Sequence, residues 1–499
     1  MPRAHFRAIC LGCLLVGLLT AWVSRPAGAQ EITVGQAAAA MEDVLVKAIA
    51  QAERSVVAIA RVNRNSTDGR GDLVPNLFNR VRPQDTAVPG EPGFIPNEYA
   101  TGVVVGDGLI LTANHVLRDE SEYWVTTADR KTYKVLKVVG ADPRSDLAVL
   151  KINAPDLTPI KLGDATKLKK GQIVIALGNP YAIARDGQVS ASWGIVANLS
   201  RKDVPAASTR AEGGPRTEPA LHQYGTLIQT DAKLNLGTSG GALVNLKGEM
   251  VGLTVALAAS LGFEHSAGFA IAVDETFQRA LKTLKQGREV EFGFLGVSPH
   301  RLSVDDVANG RHGVLIVSVV AGTPADKAGL MPNDMITHID GQEVNEPDDL
   351  MLHIGKLPAD GSPRITYERG GRIQTTQVQE LSKKFVHGKK VVTTPSPAWR
   401  GVRVDYVTAA PDFDLTSGQR RLDVQGSVLV TEVQEGSPAW NEGLRANMLI
   451  SHVGSASVST PKQFRDEVAG KSGPVRLRLT VPSGERLERL ERTIPPDAS

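Results

Sequence analysis

Hydrophobic positions change rhythm several times along this chain, and each change marks a segment. Residues 8–23 are almost unbroken apolar, with Arg3 and Arg7 before them and Ala27, Gly28 and Ala29 after. A basic start, a short apolar core and a small-residue exit predict a secretory signal, residues 1–29, cleaved after Ala29. The core is shorter than the roughly 20 apolar residues of a membrane-spanning helix. Over 34–53, Met41, Val44, Leu45, Ala48 and Ile49 recur at helical spacing, which predicts one amphipathic helix. A short β-branched strand follows at 55–61. Periodicity then vanishes over 63–98, where Pro75, Pro83, Pro89, Pro92 and Pro96 predict a long irregular loop.

From 101 to 271 short strand-like runs repeat, among them 102–105, 109–112, 123–127, 147–152, 173–177, 192–197, 226–230 and 250–255. Gly, Asn and Asp punctuate them, and no helical pattern intervenes. That predicts an all-β barrel or sandwich. A helix closes the region, capped by Asp274, striped by Phe277, Leu281 and Leu284 and ended by Gly287. Beyond it the chain repeats itself at an offset of 114: the pattern of 313–336 returns at 427–450. Each copy ends in a predicted helix, 347–357 and 461–468, the second with Thr460 as cap and Pro461 in its first turn. The expected organisation is a β domain over 30–287, repeated modules over 288–381 and 397–499, and a linker over 382–396. The linker carries Lys383, Lys384, Lys389 and Lys390 and reads as a solvated connector.

Composition narrows the class. With 41% hydrophobic and 22% charged residues the chain is globular, not disordered. Its 49 Gly and 29 Pro against 5% aromatics favour turn-rich β domains. Removing the signal takes away Arg3, Arg7 and Arg25, leaving 56 − 3 = 53 basic against 54 acidic residues. That balance gives no case for a nucleic-acid partner. Both cysteines, Cys10 and Cys13, lie in the signal. The mature chain therefore holds no disulfide, thiolate metal site or cysteine nucleophile. No metal-ligand spacing, phosphate loop or nucleotide motif occurs, so no metal and no cofactor is expected.

The sharpest local signal is Gly237-Thr238-Ser239-Gly240-Gly241. A serine nucleophile needs a base, an orienting acid and backbone N–H donors facing the developing oxyanion. Glycines allow the loop to turn its amides inward, and the amides of Gly237 and Ser239 are the candidate donors. Of the histidines left in the mature chain, His115 follows a strand directly and is the candidate base. The acid is Asp146, at the head of the apolar run Leu147-Ala148-Val149-Leu150, with Asp142 a rival followed by Pro143. The order His115, Asp146, Ser239 is that of chymotrypsin-type enzymes, and the Gly-x-Ser-x-Gly elbow of α/β-hydrolases is absent.

These motifs together resemble the HtrA/Deg family of serine proteases. The resemblance rests on Thr112-Ala-Asn-His115-Val, Ser145-Asp146-Leu-Ala-Val-Leu-Lys151, Lys161-Leu-Gly163-Asp164, Ala176-Leu-Gly178-Asn179-Pro180, Gln229-Thr-Asp-Ala, the Ser239 loop and Gly268-Phe269-Ala270-Ile271. It covers roughly residues 40–490. It implies a mainly β fold: a chymotrypsin-like double β-barrel followed by two PDZ domains. It further implies an ATP-independent endopeptidase acting on unfolded or misfolded proteins in the periplasm, or secreted, and built as a homotrimer or a multiple of trimers. Loop 63–98, with Leu77 and Phe78, lies where the family's regulatory loop contacts a neighbouring subunit.

PDZ modules bind peptide C-termini by adding a strand at a sheet edge and cradling the carboxylate with backbone amides. The expected contacts are Phe294, Leu295, Gly296 and Val297 in the first module and Arg400, Gly401 and Val402, after Trp399, in the second. Two departures from the family pattern stand out. Leu236, Thr238 and Ala242 occupy Pro, Asn and Pro positions of the serine loop, which leaves open a chaperone-like or scaffold assembly with a silent or peptide-activated site. Ser455 stands where the first module has Gly341, which suggests a relaxed turn.

Overall fold

A computed structural model of the chain describes residues 33–63, 96, 98–118, 121–179, 187–202, 220–255, 268–411, 413, 426–483 and 486–497. The expected signal, both cysteines, and almost all of loop 63–98 with Leu77 and Phe78 lie outside the described residues. Residues 45–499 form one compact unit, and residues up to Val44 form another. The helix Val34–Ala52 begins in one and ends in the other.

The first barrel is built from β1 (Val56–Asn63), β2 (Glu98–Gly106), β3 (Leu109–Ala113), β4 (Ser121–Thr126), β5 (Thr132–Asp142) and β6 (Leu147–Ile152). They run in the order β5-β4-β1-β2-β3-β6, and β6 pairs back onto β5 to close the ring. The second barrel contains β7 (Ile173–Gly178), β8 (Ser190–Arg201), β9 (Leu227–Thr230), β10 (Ala242–Val244), β11 (Met250–Val255) and β12 (Gly268–Ala272). It closes in the order β10-β11-β12-β9-β8-β7.

The unbroken apolar runs have a simple cause: both faces of these strands are buried. In β6, Ala148 and Leu150 point into the first barrel beside Val57, Ile59 and Ile110. Leu147 and Val149 point the other way, into a core shared with Ile175, Leu177 and Leu253 of the second barrel. A strand buried on two faces loses the polar alternation of a half-exposed one. The helix Glu275–Lys285 lays Phe277, Ala280, Leu281 and Leu284 on the shared core. Asp274 caps it by accepting the Phe277 N–H at 2.9 Å.

The 114-residue repeat is a structural repeat. Strands Val314–Val319 and Met335–Ile339 return as Val428–Val433 and Leu449–Val453, and helix Pro347–Lys356 returns as Pro461–Val468. The turn at Gly341 differs from expectation. The first copy takes positive φ at Asp340 and Gly341, while the second puts its glycine one place earlier, at Gly454 with φ 64°. The turn is kept, and Ser455 is spared the left-handed conformation.

The segment 382–396 is only partly solvated, and it packs on the domains at two points. Ser382–Lys383 pairs with Gly293–Phe294, and Val391–Val392 pairs with β5 as a seventh strand on the first barrel. Lys383 is 6% exposed. Its ammonium meets Asp405 at 2.6 Å, Glu289 at 3.1 Å and Glu291 at 3.5 Å. Burial alone would lower its pKa, but the three carboxylates outweigh burial and hold it above the ordinary lysine value. Lys383→Met would strand three carboxylates without their cation. We expect a loss of roughly 3–5 kcal/mol, read as an earlier denaturant transition; an unchanged transition would mean that solvent screens the cluster.

Candidate active site

β3 ends at Ala113, and a single 3-10 turn, Asn114–Val116, follows. Asp146 grips that turn at three points. Its carbonyl accepts the Asn114 N–H at 2.9 Å, Oδ1 accepts the His115 N–H at 2.9 Å, and Oδ2 lies 2.8 Å from His115 Nδ1. Asp146 is 6% exposed and sits at φ 56°, a left-handed conformation that costs most side chains but suits Asp. Asp142, the rival acid, faces elsewhere. Its Oδ2 accepts both the Ser145 N–H and the Ser145 hydroxyl at 2.6 Å, so it braces the turn that carries Asp146.

Electrostatics follow from this packing. Burial is the largest influence on His115 and lowers its pKa; the charge and hydrogen bond of Asp146 outweigh it, against Arg118, and hold the imidazole above its ordinary 6.5. Burial pushes Asp146 up, but His115 and then the buried His222 hold it below the ordinary carboxylate value. Asp142 is 3% exposed, and burial drives its pKa up to about 6 despite its Ser145 bonds and the nearby Lys390 charge.

The serine loop comes from the second barrel and is sewn to the first. Gly237 and Gly240 take φ of 92° and 85°. A Cβ at Gly240 would collide with the Thr101 carbonyl oxygen and Thr112 Oγ1. The Thr101 N–H donates to the Ser239 carbonyl at 2.9 Å, and its hydroxyl donates to the Gly237 carbonyl at 2.7 Å. Thr112 Oγ1 donates to the Thr101 carbonyl at 2.8 Å. Thr112 is three residues from His115, so the Ser239 loop and the His115 turn hang from neighbouring strands. Thr238 bonds through its hydroxyl to the Asn235 carbonyl at 2.7 Å, and Thr254 Oγ1 holds the Thr238 carbonyl at 2.6 Å. These bonds brace the loop between the two positions, Leu236 and Ala242, where the family pattern has prolines. Sequence reasoning missed Thr101; its only signal is a polar residue within an apolar run.

The two PDZ-like loops superimpose in role but differ in state. A Cβ at Gly296 would strike Thr323, and one at Gly401 would strike Ser437, its counterpart at offset 114. Leu295, Gly296 and Val297 line a cavity with Leu350, Met351 and Ile354 of helix Pro347–Lys356, bordered by Arg144 and Lys384. Phe294 lines the same cavity, with its ring edge-on to Phe413 at 5.9 Å. In the second module Arg400 replaces the apolar Leu295. It sits at φ 48°, and its guanidinium donates to the carbonyls of Ile494 (2.6 Å), Lys471 (2.9 Å) and Gly473 (2.6 Å). The Val402 N–H donates to the Trp399 carbonyl at 2.8 Å, closing the turn on itself.

Comparison with known proteins agrees with this architecture. Residues 100–253 match the trypsin-like peptidase domain family and residues 293–379 the PDZ domain family. A "probable periplasmic serine endoprotease DegP-like" of Pseudomonas putida (strain W619) is 31% identical over 406 residues, 80% of each chain. Its namesake in Hahella chejuensis (strain KCTC 2396) is 32% identical, covering 81% of this chain and 83% of the relative. The "periplasmic pH-dependent serine endoprotease DegQ" of Escherichia coli (strain K12) is 28% identical over 86% of this chain and 87% of its own. Among solved structures, a variant of the HtrA-type protease AlgW with tripeptide matches in fold with TM-score 0.50 and 24% identity, covering 68% of this chain and 98% of that one.

The raised pKa of Asp142 has a stability consequence. The folded chain holds that proton more tightly than the unfolded one, whose value is 3.8. The stabilisation from the bound proton is complete below about pH 4 and is lost as pH rises through about 6. Asp142→Asn should remove this dependence. Between pH 7 and pH 4 wild type should gain up to about 3 kcal/mol on the variant, measured by denaturant titration at both pH values; parallel curves would place the Asp142 pKa near its ordinary value.

Proposed function

The chain belongs to the HtrA/Deg family of serine endoproteases, and we propose that His115, Asp146 and Ser239 carry its peptide-bond hydrolysis. Ser239 Oγ bonds to the peptide carbonyl carbon as its proton passes to His115 Nε2. The amides of Gly237 and Ser239 receive the oxyanion, each such donor being worth about 10²–10³ in rate. His115 returns the proton to the leaving amine, and water then repeats the sequence on the acyl-enzyme. Asp146 holds the imidazole with Nδ1–H towards itself, so that Nε2 is free to act as base. What carries the reading is the three-point grip of Asp146 on the His115 turn, with the serine loop hung from the neighbouring strand.

The substrates we propose are unfolded or misfolded proteins of the periplasm, reached after the signal is cleaved behind Ala29. The assembly we propose is a homotrimer or a multiple of trimers. The first PDZ module would receive a peptide C-terminus: Leu295, Gly296 and Val297 offer backbone to the carboxylate, Phe294 supports them, and Leu350, Met351 and Ile354 take the last side chain. Arg400, Gly401 and Val402 of the second module form a closed turn, which favours edge-strand binding of extended segments there over carboxylate capture.

Unfolded casein tests the reaction. Wild type should degrade it and Ser239→Ala should not; casein degradation by the variant would sink the assignment. The acid limb of the rate profile should fall off below an apparent pKa above 6.5, because His115 must be neutral to act and its pKa is raised. Asp146→Asn should lower kcat by about 10⁴ and move that limb to lower pH. A limb that stays put would mean that Asp146 does not set the basicity of His115.

A further inference from the structure

The segment joining the two PDZ modules touches both turns that carry the proposed reacting groups. Val391 and Val392 pair with Ala141 and Gly140. The next residue of β5 is Asp142, whose carboxylate braces the Asp146 turn. Gly388 lies on the same turn. It takes φ 124°, and a Cβ there would stand 3.0 Å from Pro143 Cβ. Lys389 reaches the other turn: its Nζ donates at 2.7 Å to the carbonyl of Arg118, three residues past His115. That residue's N–H is itself held by the Tyr123 hydroxyl at 2.6 Å. Lys390 pairs with Glu289 at 2.7 Å and directs its charge at Asp142. Thr393 and Thr394 donate their N–H groups to the Gly287 carbonyl at 2.9 and 2.8 Å, and Thr393 Oγ1 donates to the Val139 carbonyl at 2.7 Å.

We infer that residues 388–394 are a working part of the catalytic domain: this strap positions the His115 and Asp146 turns against each other. A solvated linker would make none of these bonds. The geometry also explains the sequence. Gly388 is the point at which the chain must cross Pro143 without a side chain; Lys389 supplies a bond beyond the His115 turn, and Lys390, paired with Glu289, a charge towards Asp142. Residues 388–394 are positioning residues, since none touches substrate. They also join the second PDZ module to the barrel by a few residues of chain. The inference rests on the assignment of His115 and Asp146 above.

The full-length protein tests it with a short fluorogenic peptide that engages the barrel alone and with a fluorophosphonate that labels Ser239. Gly388→Val sets a branched side chain against Pro143 in a conformation it resists. We expect kcat to fall by about 10- to 100-fold, KM to hold, and fluorophosphonate labelling to slow in parallel at an unchanged melting temperature. The acid limb should move down towards 6.5, because His115 owes its raised pKa to Asp146. Lys389→Met should show a smaller loss of the same kind, and Lys389→Arg, which keeps a donor, should recover it. Unchanged kcat and acid limb in both Gly388→Val and Lys389→Met would overturn the inference. So would losses that only track the fraction unfolded. Peptide cleavage surviving in Ser239→Ala would instead discredit the triad assignment and leave the strap unblamed.

Discussion

β3 and β6 pair antiparallel with Ala113 opposite Leu147. Carried one step past the ladder, that register sets Asn114 opposite Asp146, and the Asn114 N–H bonds the Asp146 carbonyl. His115 and Asp146 meet because of this pairing, although 31 residues separate them. A slip of one residue would send Asp146 to the other face of the strand. The two-faced burial of β6 forbids that slip, since Leu147 and Val149 would trade places with Ala148 and Leu150 between two cores of different shape. The register is therefore enforced by packing, and the contact between His115 and Asp146 inherits it.

The serine proposed as the third group arrives by a different route. Ser239 belongs to the second barrel, and packing alone would not tie its loop to the first. Buried polar bonds do that. Thr101, fully buried, gives its N–H and its hydroxyl to the serine loop, accepts the Asn179 N–H at 2.9 Å and has its carbonyl held by Thr112. Satisfied polar groups in a low-dielectric core hold one geometry, because any other leaves a donor or acceptor unpaired at a cost of about 1–3 kcal/mol. The glycines at 237 and 240 permit this seam, and the threonines tie it.

Much of this was legible in the sequence, and the rest was hidden for definable reasons. The strands, the helix after Asp274 and the 114-residue repeat follow from local periodicity and turn chemistry. The order His115, Asp146, Ser239 follows from residue types in a known sequence of roles. Thr101 was invisible because its partners in the serine loop lie 136 and more residues away. Lys383 was misread because a run of lysines looks solvated until Glu289, Glu291 and Asp405 are brought to it from two separate segments. Arg400 looked like a carboxylate ligand by position, whereas three backbone carbonyls already hold it. Each failure has the same form: the residue type was right, and the partner was distant.

Three of the buried charged residues, Lys383, Asp142 and Asp146, lie near the connector, and the more exposed Lys390 directs its charge at Asp142. A buried ion is poor value for stability, because desolvation offsets most of the attraction, but a wrong arrangement of such ions is strongly disfavoured. Asp142 illustrates the trade. It is held close to neutral pH by burial, yet its two Ser145 bonds fix the turn that sets Asp146 at a positive φ. Lys383 fixes the point where barrel, connector and second module meet. Apolar residues of equal volume could fill these places, but they would tolerate small shifts that these ions do not. The buried Lys383 and Asp142 thus trade net stability for a single alignment, and Asp142 lies where alignment of the His115 and Asp146 turns is decided.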